Sequence, residues 1–340
     1  LTGADGGAQA AAMFVHHAYR LAVAAFLFLA LALIPHAALA ADPAEASASA
    51  QPQVVQVGSY ILRINNVSQK DGTFDVDMWV WMRWKGSGLE PQKTFEIANG
   101  VINSRSDTSV LDDQGFHYST VRVQATLFHQ FDVKRFPLDN HRITIELEDS
   151  TYDASTLRYV ADRGTALDPG LTVPGWKVGL ERPVAAEHVY PTDYGMRSSA
   201  TKSAVYSRLV LAIDLERNSM MVLFKEFWIS ILSVGLALLA LFVHSHDLDA
   251  RFGLGVGSIF AASANAFVLS DNLPKTTSVT LAEEINLLAV GPIFVTVFIS
   301  IWSLRLRYAD REGASLRLDK VSLIVVGSGY VIANLALLYL

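Results

Sequence analysis

The side chains able to do chemistry are sparse in this chain, and their spacing excludes more than it suggests. His117, His129, His141 and His188 are scattered through one half; histidine titrates between about pH 5 and 8, so they are candidates for sensing protons. His244, His246, Asp247 and Asp249 have the composition of a metal-ligand cluster, but a solvated turn is the expectation and no metal or cofactor is assigned. Glu146 and Glu148 are the acid pair that an enzyme would need. The chain has no cysteine, which removes disulfides and thiolate nucleophiles. No nucleophile with a neighbouring base stands out, and Ser258 occupies the third-glycine position of a dinucleotide fingerprint opened by Gly253. An enzyme is not expected.

Binding is the better use of the conspicuous residues. In "FDVDMWVWMRW" Phe74, Val76, Met78, Val80, Met82 and Trp84 share one face of a strand, and Asp75, Asp77, Trp79, Trp81 and Arg83 share the other. Two tryptophans among charges must be covered by another subunit, a loop or a ligand. Similar alternation at 60–67, 119–131, 142–148 and 206–215, with no clear helical period between them, predicts an antiparallel β-sandwich. Lys70-Asp71-Gly72 is a hairpin turn signal, and Phe136-Pro137-Leu138-Asp139 is a shaped loop leading into Ile143, Ile145 and Leu147.

The 340 residues are 51% hydrophobic with a mean hydropathy of +0.30, yet most charges lie before residue 218. Two compartments follow. Arg20, an apolar core at 21–34 and Ala38-Leu39-Ala40 predict a signal peptide over 1–40, followed by a disordered lead-in at 41–54 and an exported sandwich at 55–217. Residues 218–340 predict four spans, at about 221–243, 251–271, 283–306 and 319–340. Arg305, Arg307, Arg311, Arg317 and Lys320 between the last two place that loop in the cytoplasm, giving a multi-pass protein of the cell membrane, or of the inner membrane with a periplasmic sandwich in a bacterium. A net charge of −6 without a basic cluster in the sandwich argues against nucleic acid. The second span is rich in Gly, Ala and Ser, carries Asn265, and is expected at the centre of a bundle rather than against lipid, with Gly253 and Gly257 marking close helix packing.

With Phe136-Pro137-x-Asp139, Trp84, Arg217, Asp249-Ala250-Arg251 and Leu273-Pro274-Lys275 together, residues 55–340 resemble the pentameric ligand-gated ion channels of the Cys-loop receptor superfamily. His129 and Ile143 stand where that family's loop cysteines would be, as in its bacterial members. The resemblance implies an immunoglobulin-like sandwich above a four-helix transmembrane bundle, in a homopentamer around a central pore. It implies a pore lined by Asp249, Gly253, Gly257, Phe260, Ala264, Phe267 and Asp271, with rings of Phe260 and Phe267 that close by dewetting and acid rings that favour cations. Residue chemistry alone offers a different stripe, Arg251, Ser258 and Asn265, nearly opposite. Coupling would run through Phe136, Pro137, Asp139, Arg217, Pro274 and Lys275. A small-molecule agonist would bind between sandwiches at Trp79, Trp81, Tyr152, Tyr190 and Tyr194, although Ser150 and Phe95-Glu96-Ile97 depart from the family's pattern. Membrane lipid and permeant ions are the other implied partners. A proton-gated channel of the same fold and a non-conducting membrane sensor are the alternatives.

Overall fold

The computed structural model describes residues 51–195, 203–276 and 278–339. The signal-peptide expectation and most of the lead-in lie outside the described residues. The lead-in's boundary at 54 is too late, because the first strand, β1 (Gln53–Ser68), has already begun.

Residue alternation builds the sandwich as expected, with more strands than the pattern revealed. One sheet of seven strands runs β4 (Gly100–Arg105), β6 (Phe116–Phe128), β2 (Thr73–Trp84), β1 and β8 (Leu157–Ala161), with β5 (Leu111–Asp113) also on β6 and β9 (Ala166–Leu167) on β1. The other runs β10 (Trp176–Leu180), β12 (Ala204–Arg217), β7 (Asn140–Asp149) and β3 (Phe95–Ile97), with β11 (Val184–Tyr190) also on β12. All six core-facing residues of β2 are buried, as are Ile143, Ile145 and Leu147 of β7 against Leu209, Leu211, Ile213 and Leu215 of β12. Gly72 takes φ +66° in the β1–β2 turn, as the Lys-Asp-Gly signal requires.

The sheets are not wholly antiparallel: β8 and β9 pair with β1 in parallel. These strands escaped the sequence because they are too short to display a period, and a crossover leaves no local signature. A single helical turn, Pro91–Thr94, was likewise unforeseen.

Four helices follow, each long and apolar enough to cross a membrane: α1 (Ser219–Leu239, extended by a 3-10 turn at Ala240–Phe242), α2 (Leu248–Asn272), α3 (Leu281–Tyr308) and α4 (Glu312–Tyr339). Thr280 and Glu283 start α3 with a capping box: Glu283 N donates to Thr280 Oγ1 at 3.2 Å and Thr280 N to the Glu283 carboxylate at 2.8 Å. The basic loop expected between the last two spans is instead two helix ends. Arg305 and Arg307 close α3, Arg317 and Lys320 lie in α4, and only residues 309–311 connect them. Good helix formers on both sides let each helix run past its apolar core.

The glycine pair also behaves differently from expectation. A Cβ at Gly253 or Gly257 would meet nothing within 4 Å, whereas one at Gly255 would lie 3.0 Å from Val297 of α3. Gly255 is the packing glycine; the other two face outward. Sandwich and bundle share one core, since Phe131, Val133 and Phe136 cluster with Leu273, Leu281 and Ile285.

Candidate functional site

The face of α2 that packs in its own bundle carries Arg251, Gly255, Ser258, Ala262, Asn265 and Leu269. Asn265 Nδ2 donates to Glu226 O and Ser230 Oγ at 3.0 Å and to Asn286 Oδ1 at 3.1 Å, while Ser258 Oγ donates to Leu254 O. Arg251 Nη2 donates to Val243 O and to Asp319 Oδ2, both at 2.6 Å. The stripe suggested by polar chemistry alone is therefore spent inside the bundle, Ser258 on its own helix and Arg251 and Asn265 on neighbouring segments. Asp249, Gly253, Gly257, Phe260, Ala264, Phe267 and Asp271 are all exposed on the opposite face, Phe260 at 73% and Phe267 at 76%.

At the junction of sandwich and helices the 129–139 loop and the end of β12 build a buried cluster around Asp139. Arg217 Nε donates to Asp139 Oδ1 at 2.7 Å and its Nη2 to Oδ2 at 3.1 Å and to Gln69 Oε1 at 2.9 Å. Gln69 Nε2 donates to Asp139 Oδ2 at 2.6 Å, and His141 Nε2 lies 2.5 Å from the same oxygen. The guanidinium sits 4.0 Å from the centre of the Trp176 ring and 4.9 Å from that of Phe136. Burial pushes the Asp139 carboxyl up, but hydrogen bonds from His141, Arg217 and Gln69 outweigh it and hold the pKa at about 2. The Phe136-Pro137 peptide is cis.

Contacts onward to the helices come from either side of this cluster. Leu281 N, opening α3, donates to Lys134 O at 2.8 Å, and Lys70 of the β1–β2 turn reaches Asp271 at 2.8 Å. A cleft of about 530 Å³ between the loop and the α2–α3 connection is lined by Asp132, Lys134, Lys275 and Thr276; Pro274 lies half-buried beside Lys275. His141, Gln69 and Trp176 were not foreseen as members of the junction. The β7 alternation does put His141 on the inward face with Ile143, a legible signal; nothing marked the other two.

The aromatic candidates divide between the two sheets. Tyr190 packs edge-on to Tyr194 at 5.7 Å, Tyr206 at 5.9 Å and His188 at 4.5 Å. Its hydroxyl accepts from Arg208 Nη2 at 2.7 Å and donates to Glu148 at 3.2 Å, and Arg208 also binds Glu146. Burial, then Glu148, raises the Tyr190 pKa; burial, then Glu148 and Asp149, raises that of Glu96 nearby. Three glutamates against one arginine give this tyrosine-lined face an excess of acid. Tyr206, which the sequence did not single out, belongs to it. Tyr152 follows β7, its hydroxyl donating to Gly88 O at 3.3 Å.

Trp79 lies on the outward face of the other sheet, beside Arg63 and Arg122 in a cleft of about 600 Å³. Trp81 next to it is covered by its own chain: a Cβ at Gly58 would fall 2.3 Å from the indole, and one at Gly164 3.5 Å from it. The tryptophan and tyrosine sets face outward from opposite sheets, so one chain cannot bring them together. A second copy can. As for the histidines and aspartates after α1, no group of three metal-ligating side chains comes together among the described residues.

No family model matches the chain. It is 20% identical over 272 residues to the gamma-aminobutyric acid receptor subunit theta of Mus musculus, across 72% of this chain and 41% of the relative. To the receptor's subunit beta-4 of Gallus gallus it is 22% identical over 277 residues, 74% of this chain and 54% of the relative. To the subunit beta-like of Drosophila melanogaster it is 25% identical over 194 residues, 56% of this chain and 34% of the relative. The chain spans about half the length, or less, of the curated relatives it matches. These relatives, distant in sequence, are receptor subunits of the Cys-loop superfamily and not enzymes, and the sandwich followed by four apolar helices fits that superfamily's fold.

Proposed function

We propose that this chain is the subunit of a ligand-gated ion channel that assembles as a homopentamer around a pore lined by α2. One observation carries the assignment: every residue from Asp249 through Gly253, Gly257, Phe260, Ala264 and Phe267 to Asp271 is exposed, while α2's polar residues on the other face are consumed within the bundle. A helix that keeps Arg251, Ser258 and Asn265 inside the bundle and leaves small residues, two phenylalanines and terminal acids outside suits a narrow, wettable passage better than lipid. Arg251 is turned inward and paired with Asp319, so basic rings are removed and the acids at 249 and 271 favour cations. The sandwich lies outside the cell or in the periplasm, and the basic α3–α4 end faces the cytoplasm.

The agonist binds between neighbouring sandwiches, where Trp79 of one subunit meets Tyr190, Tyr194 and Tyr206 of the next. Aromatic faces with surplus carboxylate suit an ammonium group, which agrees with relatives named for gamma-aminobutyric acid. Protons are the second activator to test, because the sandwich carries His117, His129, His141 and His188. Native mass spectrometry is expected to give five subunits, and liposomes holding the full chain to pass cations on addition of gamma-aminobutyric acid or on external acidification. A stable monomer or dimer that passes no ions would leave the non-conducting sensor standing.

A further inference from the structure

Asp271 is not a free carboxylate. Lys70, on the turn between β1 and β2 and 201 residues away in sequence, reaches down from the sandwich and holds it at 2.8 Å. Both side chains stay open to solvent, at 49% for Lys70 and 70% for Asp271. No burial locks them, so a pair of this kind breaks and re-forms readily. The side chain of Asp249, the corresponding acid at the opposite end of α2, makes no ion pair or hydrogen bond among the described residues. The two ends of one helix thus carry the same formal charge and different effective charge.

We infer that Lys70 is a counter-charge, tethered to the sandwich, that sets the effective charge of the pore mouth formed by Asp271. The inference rests on α2 lining the pore. While Lys70 holds Asp271, a cation approaching that mouth meets a ring of dipoles whose field falls off steeply. Once the β1–β2 turn moves away, it meets a ring of carboxylates. Movement of the sandwich and cation supply to the pore are then linked through one side chain, and a residue outside the membrane helps set conductance.

Single-channel recording from the full chain in lipid bilayers tests this. Lys70→Met is expected to raise the unitary current of cations entering from the sandwich side by roughly twofold at ~0.1 M salt, where charges act over about 10 Å. The gain is expected to vanish at ~1 M, where that reach shrinks to about 3 Å. Asp271→Asn, which leaves Lys70 uncompensated, lowers the same current, and the K70M/D271N double variant, with the net charge of the original pair, returns to the parent value. A K70M channel whose open probability changes while its unitary current does not would overturn the inference, leaving Lys70 a coupling contact only. The pore assignment is checked separately with Phe267→Cys, whose thiol is the only one in a cysteine-free chain. Block by a thiol-reactive cation keeps that assignment; an unblocked current sinks both.

Discussion

The sandwich and the helical bundle are built with opposite polarity. In the sandwich the interior is mainly Ile, Leu, Val, Phe and Met, and most charges of β2, β7 and β12 point outward, with Asp77, Glu148 and Asp149 as buried exceptions. In the bundle Ser230, Asn265, Asn286, Thr296, Ser303, Arg251 and Asp319 are buried, while Phe224, Trp228, Phe298 and Ile324 are exposed. The difference says that the two regions have different solvents: water drives apolar groups together in the first, whereas in the second polar groups must find one another because lipid offers no partner. On α2 the open face holds Gly253, Gly257, Ala264 and the acids Asp249 and Asp271 beside Phe260 and Phe267.

The sharpest way to break the comparison is to remove a charge from inside the bundle. Arg251 is almost wholly buried between α2 and α4, and Asp319 also accepts from Ser303 Oγ at 3.0 Å. Asp319→Ala strands the guanidinium and is expected to cost ~3–5 kcal/mol, read as loss of assembled protein or of its thermal midpoint in detergent. Replacing both partners by apolar residues, as in R251M/D319L, is expected to cost much less, since no unpaired charge remains. In the sandwich the matching lesion is apolar: Ile145→Ala, at the centre of β7, is expected to cost ~2–5 kcal/mol through the cavity it leaves.

A smaller effect separates the junction from both regions. Held at about 2 against an ordinary 3.8, the Asp139 carboxylate binds its proton more weakly in the folded chain than in the unfolded one. Its stabilisation is therefore complete above about pH 4 and is lost as the pH falls through about 2. The gap amounts to about 2 kcal/mol. Thermal midpoints measured from pH 5 to 2 are expected to converge for the parent and Asp139→Asn as acid removes what the variant already lacks; parallel curves would show that the cluster does not depend on that charge.

What the sequence made legible follows the same division. The long strands could be read because water on one face and core on the other impose a period of two, and β2 and β7 follow it except at Asp77 and Glu148, which are buried on the outward face. The short strands β8 to β11 could not: β9 to β11 are two to seven residues without a fully buried face, and β8, though it buries Leu157 and Tyr159, is only five residues long. The helices were plain from apolar length, but their ends were not: Arg305 and Lys320 look like loop residues until the helix is seen to continue beneath them. For the candidate sites, family resemblance led to the contact between Asp139 and Arg217 and to the shared open face of α2, while the coupling and pore roles given to them are proposals. Tyr206, Gln69 and Trp176 were missed because their places come from packing between separate segments, whereas the inward position of His141 could be read from the β7 alternation.

The mildest test bears on which face of α2 does which job. Asn265 spans three acceptors, yet Asn286 Nδ2 in the same network has no partner among the described residues, so the network is only partly satisfied. Interhelical hydrogen bonds in membranes average about 0.6 kcal/mol and seldom exceed ~2, so Asn265→Leu is expected to lower the thermal midpoint slightly and leave unitary conductance unchanged. Ala264→Leu, one position along, places a larger apolar side chain on the open face and is expected to do the reverse, cutting conductance at nearly constant stability. Should Asn265→Leu alter permeation and Ala264→Leu only stability, the polar stripe would be the pore face after all, and α2 would have to turn by about half a rotation from its present packing.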